Sequence, residues 1–237
     1  MDSKEKQEMY DALMSEEDHY KVEAQWHGWA GNFHRYRCQL IGDVLRGIGF
    51  DAETGVLDIG SGPSLLGEIF SPEESPRITA IDISEVNVTK GRERYPHITF
   101  AIDDAQTPHL EGQWDIVFAG EIIEHLESPQ QALENWTALL KPGGTLVITA
   151  PNGLISPRTK EHISLLKTWQ LKRMLEALNY EKIDIIGIDL FVPMLGRIGR
   201  VIQRWPKLSD AIFQTTMRIP YHSPNFARDI MYVYRKM

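Results

Sequence analysis

A chain of 237 residues, 42% apolar and 24% charged, is long enough for one α/β domain with additions and short for two. Its net charge of −8 is uneven: residues 190–237 carry +6 and the rest −14, so the body lacks the continuous basic surface that nucleic acid requires. The single cysteine, Cys38, excludes an internal disulfide framework and a thiolate metal cluster, and no apolar run nears the roughly 20 residues of a membrane span.

The acidic, polar stretch MDSKEKQEMYDALMSEEDHY has no signal-peptide character, which makes the cytoplasm the expected compartment. Residues 1–50 read as a helical extension with Trp26, Trp29, Phe33 and Tyr36. This extension is placed to form a lid, and His19, Tyr20, His27 and His34 are candidates for lining an acceptor pocket. From residue 51 to 188, short apolar runs alternate with amphipathic segments, the pattern of a parallel sheet covered by helices. The expected strands are Val56–Ile59, Ile78–Ile81, Ile98–Ala101, Trp114–Phe118, Thr145–Thr149 and Ile183–Ile188, with a seventh, Asp229–Tyr234, in the closing stretch 229–237. Gly143 and Gly144 turn the chain into the fifth strand. Thr168 reads as the N-cap of a helix over Trp169–Leu178, and Asn179 as its left-handed stop.

Residues 189–228 form a basic, amphipathic insertion before the last strand, longer than a connection needs. Its arginines and apolar residues at helical spacing suit peripheral contact with anionic lipid, or else a pocket wall or a contact between copies.

The chemistry concentrates at strand ends. In VLDIGSGPS, Gly60 and Gly62 let backbone approach a ligand at the C-terminal edge of the first strand, and Pro63 suits the next helix's first turn. Asp82 follows about 20 residues later, the spacing at which an acid accepts ribose hydroxyls. Asp103 and Asp104 close the third strand, within reach of an adenine amino group. The fourth strand ends in AGEIIEHL, where a helix would place Glu121, Glu124 and His125 on one face as i, i+3 and i+4. A dinucleotide site would carry a third glycine at position 65, where this chain has Leu65.

Asp58 two residues before Gly60, acids closing strands two and three, and EIIEHLESP followed by LKPGGTLVITAPN together resemble the class I S-adenosylmethionine-dependent methyltransferases. Within them the chain is most similar to the ubiquinone-biosynthesis O-methyltransferase group, with Asn179-Tyr180 in place of that group's Gly-Phe. The resemblance implies a Rossmann-like, seven-stranded mixed sheet of order 3-2-1-4-5-7-6 flanked by helices, its last strand antiparallel. It implies S-adenosyl-L-methionine as methyl donor and S-adenosyl-L-homocysteine as product. Asp58, Gly60, Ser61 and Gly62 would surround the methionine end, Asp82 and Ile83 the ribose, Asp104 and Ala105 the adenine, with Ala119 and Gly120 closing the site. Ser64 departs from the commonest pattern, though a small residue there still permits close backbone approach.

A hydroxyl acceptor needs its proton removed, and His125 is the candidate base, with Glu124 to orient it. Glu121, Glu124, His125 and His162 also form a ligand set for a divalent ion, whose identity and use stay open. The expected reaction is methyl transfer to a small or amphipathic acceptor, at oxygen. N- or C-methylation, a non-catalytic cofactor-binding protein of the same fold, and a nicotinamide reductase remain as rivals. Nothing in the sequence fixes an oligomeric state.

Overall fold

The computed structural model describes residues 3–15, 28–74, 77–156, 162–188, 211 and 227–237, except the side chains of residues 3, 28–30 and 32. Among the described residues, two helices come first, α1 (Ser3–Ser15) and α2 (Gly28–Gly47). The core then alternates: β1 (Gly55–Ile59), α3 (Leu65–Ile69), β2 (Arg77–Asp82), α4 (Glu85–Arg94), β3 (Thr99–Ile102) and β4 (Trp114–Gly120). After α5 (Pro129–Leu139) come β5 (Leu140–Pro151), α6 (Thr168–Ala177), β6 (Tyr180–Gly187) and β7 (Asp229–Lys236).

The seven strands make one sheet in the order β3-β2-β1-β4-β5-β7-β6, as the resemblance implies. The first five pair in parallel, and β7 runs antiparallel to both β5 and β6. Strands buried on both faces must be largely apolar on both, and GVLDI and WDIVFAG are, Asp58 and Asp115 apart. Along β1 and β4 the side chains alternate between two cores. Leu57, Ile59, Val117 and Ala119 meet Trp136 and Leu133 of α5. Val56, Ile116 and Phe118 meet Ile41 and Leu45 of α2, Leu66 of α3 and Val88 of α4. Asp58 falls on the second face, which directs its carboxyl toward α3.

All seven expected strands are present, several longer than expected. Three local expectations need correction. Lys167 caps α6, because Gln170 reaches back to its N–H at 3.0 Å, and Thr168 is the first helical residue. Pro63 precedes α3, since Ser64 takes the N-cap position. No regular helix starts at Glu121. The chain makes a single 3-10 turn, Ile123–His125, and the true helix waits for Pro129. Asn179 does stop α6 in the left-handed region, at φ 62°, a conformation that asparagine tolerates better than most residues. Gly143, at φ 76°, lies in the bulge between the two segments of β5 paired to β4. Of the insertion 189–228, only Ala211, Ala227 and Arg228 are described; Trp26, His19, Tyr20, His27 and the side chain of Trp29 also lie outside the described residues.

Candidate active site

The turn after β1 is built from left-handed residues: Gly60 at φ 63°, Gly62 at φ 56° and, unexpectedly for a side-chain-bearing residue, Ser64 at φ 71°. Ser64 is buried and does two jobs. Its hydroxyl donates to Asp58 Oδ2 at 2.9 Å and accepts the N–H of Gly67 at 3.2 Å, capping α3. Asp58 is wholly buried. Desolvation pushes its carboxyl up to about 7, while the Ser64 hydroxyl pulls it partly back.

Asp82 ties this turn to β2. Its Oδ2 accepts the N–H of Gly62 at 2.8 Å, and its Oδ1 accepts from Ser84 N–H at 2.9 Å and the Asn87 amide at 3.1 Å. Ser61 N–H is spent on the Ile81 carbonyl, which fixes the turn against β2. One lone pair of Asp82 Oδ2 remains for a ligand hydroxyl.

The two acids after β3 divide. Asp103 is structural: it accepts from the backbone N–H groups of Asp104, His109 and Leu110 and pairs with the His109 ring. Asp104 is almost buried. Its Oδ1 accepts the N–H of Gln106 at 2.7 Å, whereas Oδ2 faces the Lys6 ammonium at 3.8 Å. Ala105 is held by Trp136, whose indole donates to its carbonyl at 2.7 Å. Lys6 comes from α1, which also docks through Asp11 Oδ1, the acceptor for the Ser84 hydroxyl at 2.6 Å. The first helix of the N-terminal extension therefore lies along the β2 and β3 ends of the site.

Beyond β4, Glu121 takes φ 53° and donates its N–H to Thr149 of β5 at 2.9 Å. Arg37 of α2 meets it: the guanidinium is 3.2 Å from Glu121 Oε1 and 3.2 Å from the Thr149 hydroxyl. Glu124 is buried below. Desolvation, then Glu121 nearby, pushes its carboxyl up to about 9, with Arg37 opposing. Its Oε1 stands 3.8 Å from His125 Nε2, beyond hydrogen-bond length. The His125 ring is partly exposed and meets the His162 ring edge-on at 5.5 Å. The Glu124 carbonyl accepts Ser164 N–H, fixing the 162–166 segment over the turn.

Of the four expected metal-ligating residues, Glu124, His125 and His162 gather with ligand atoms within 4.8 Å, while Glu121 turns to Arg37. Glu124 Oε2 and His162 Nδ1 are buried without a hydrogen-bond partner. Sequence reasoning missed Arg37 and Lys6, both on the N-terminal helices and recognisable only from their spatial partners.

The site therefore offers a left-handed backbone cradle flanked by two carboxylates at successive strand ends, each with an oxygen open to a donor. Those acceptors fit a nucleoside with free ribose hydroxyls and an amino-bearing base. Residues 57–148 match the family described as "Methyltransferase domain". The core resembles a class I S-adenosylmethionine-dependent methyltransferase domain.

Among curated relatives, the chain is 26% identical over 140 residues to a probable S-adenosylmethionine-dependent methyltransferase of Mycolicibacterium smegmatis, covering 56% of this chain and 54% of that one. It is 26% identical over 155 residues to a ubiquinone biosynthesis O-methyltransferase of Coxiella burnetii, covering 56% of this chain and 66% of the relative. The chain thus spans from just over half to just under two thirds of these relatives' lengths. The fold matches that of N-methyltransferase NodS from Bradyrhizobium japonicum, solved with S-adenosyl-L-homocysteine, at TM-score 0.61 and 17% identity over 86% of this chain and 87% of that one. It also matches the [4+2]-cyclase SpnF, at TM-score 0.59 and 19% identity over 83% and 79%. These likenesses establish the fold. Among the described residues, no helix is long and apolar enough to cross a membrane.

Proposed function

We propose that this protein transfers the methyl group of S-adenosylmethionine to a hydroxyl of a small or amphipathic acceptor, with His125 as general base. The observation that carries the reading is the partly exposed His125 ring in the 3-10 turn that follows β4. The donor supplies an electrophilic methyl on a sulfonium, and displacement at that carbon depends on alignment and on exclusion of water. Asp82 and Asp104 hold the nucleoside at its ribose and adenine. Asp58 and the left-handed turn face the methionine end. The His125 ring accepts the acceptor's proton, and the buried, neutral Glu124 beneath it keeps negative charge from crowding the site.

The O-methyltransferase name of the Coxiella burnetii relative supports oxygen as the methylated atom. The acidic body supports a small molecule over nucleic acid, and the cytoplasm is the compartment proposed. Residues 189–228 would supply the acceptor wall or a peripheral lipid contact. Following S-adenosyl-L-homocysteine production over phenolic, sugar and lipid acceptors tests the reading; product formed only on amine acceptors would replace oxygen by nitrogen.

A second reading of the base is favoured by the buried, unpartnered Glu124 Oε2 and His162 Nδ1. A divalent ion held by Glu124, His125 and His162 would lower the acceptor hydroxyl's pKa in place of an imidazole base. Activity undiminished after exhaustive chelation would dismiss it.

A further inference from the structure

A second cluster of ligand-type side chains lies away from the methyl-transfer site, between α2 and α3. His34 and Cys38 are one helical turn apart on α2 and share a face, and Glu68 of α3 completes a trio. His34 Nε2 is 3.0 Å from Glu68 Oε1 and 3.5 Å from Cys38 Sγ, and the three ligand atoms lie within 4.8 Å of one another. All three side chains are partly exposed.

Sulfur, imidazole and carboxylate together suggest either a thiol nucleophile with its base and orienting acid or a metal site. The atoms decide. A nucleophile triad uses opposite ring nitrogens, the thiol at one and the acid at the other. Here thiol and acid converge on the same nitrogen, which carries one hydrogen at most and serves two acceptors poorly. Convergence on a point is what a cation requires. Tetrahedral zinc, with Zn–S about 2.3 Å and Zn–N about 2.0–2.1 Å, sets sulfur and nitrogen about 3.6 Å apart and nitrogen and oxygen about 3.3 Å apart. The observed 3.5 and 3.0 Å fall close to both separations.

We infer that His34, Cys38 and Glu68 form a binding site for a zinc-type divalent cation that clasps α2 to α3. Borderline-soft ions suit a set of one thiolate, one imidazole and one carboxylate, and water completes the fourth position at this partly exposed edge. The clasp has a structural consequence. Helix α3 is capped by Ser64 of the nucleoside turn, and α2 delivers Arg37 to Glu121, so the ion would fasten the N-terminal extension onto the glycine turn. The site is independent of the methyl-transfer reading and would stand if that reading failed.

The full, demetallated chain gives two readouts. Cobalt should bind with a thiolate-to-cobalt charge-transfer band that saturates at one equivalent and is displaced by zinc. Because Cys38 is the chain's single cysteine, thiol titration with Ellman's reagent reports on this site alone. One equivalent of zinc should slow that reaction about tenfold or more, since a ligated thiolate is withdrawn from attack. The band should vanish in Cys38→Ser and Glu68→Gln and persist in His162→Ala, which leaves the cluster intact. Absence of the band in the folded chain with excess cobalt, or a thiol reaction rate unchanged by zinc, overturns the inference.

Discussion

The Ser64 hydroxyl donates to the buried carboxyl of Asp58 at 2.9 Å from a left-handed backbone position, φ 71°. A residue that departs from the commonest pattern in sequence is thus a strained serine with two partners. Its hydroxyl satisfies a buried carboxyl that desolvation disfavours, and caps α3 at the same time.

Replacing Ser64 separates strain from bonding. Ser64→Gly relieves the positive φ but removes the hydroxyl, and glycine is a tolerable N-cap. Ser64→Ala keeps the strain and loses both bonds, leaving Asp58 without its donor, for a cost of about 1–3 kcal/mol. Urea denaturation should order the stabilities as wild type, then Gly, then Ala. Alanine at or above glycine would show that the φ value carries no strain.

Asp58 sets a pH dependence whose sign follows from its raised value of about 7. An unfolded aspartate titrates near ~3.9. Between these values the unfolded chain sheds a proton that the folded chain keeps, so this contribution is full below the lower value and is lost as pH rises toward 7. The slope approaches about 1.4 kcal/mol per pH unit. Stability without ligand should fall from pH 5 to 7, and Asp58→Asn should flatten that fall. Saturating S-adenosylmethionine should reduce it too, because a cationic ligand favours the carboxylate. Thermal melts across pH measure all three.

Much of the scaffold was legible because buried parallel strands are continuous apolar runs, and the acids Asp58, Asp82 and Asp104 sit where those runs stop. The EIIEHL segment misled for a local reason. Its charges repeat at i, i+3 and i+4, yet Glu121 adopts φ 53° to give its N–H to Thr149, which interrupts helical geometry before it starts. Asp103 looked equivalent to Asp104, but its oxygens are consumed by the loop that follows. Arg37 was invisible because its partner Thr149 lies 112 residues away, and nothing in RYRC marks one arginine over another.

Arg37 pairs with Glu121 and holds the Thr149 hydroxyl, so Arg37→Met should cost about 1–3 kcal/mol at pH 7. Removing the cation leaves a carboxylate without its counter-charge, a cost that protonation relieves as pH falls. The loss should therefore shrink toward pH 5. An equal loss at both values, by chemical denaturation, would mean that Arg37 contributes packing alone.

His125→Ala should leave nucleoside affinity unchanged and lower turnover on the true acceptor about 10²–10⁴-fold, the usual worth of a positioned base. Steady-state kinetics beside a binding titration check it. Unchanged turnover would remove the base role and shift weight to Glu124 and His162.

Calorimetry of the full chain with S-adenosylmethionine, S-adenosylhomocysteine and NAD tests the central claim most directly. Both sulfur nucleosides should bind at one site per chain, Asp82→Ala should weaken both, and NAD should give no heat of binding. Binding of NAD with neither sulfur nucleoside would contradict the assignment of this turn, with Asp58, Asp82 and Asp104 around it, to a methyl donor.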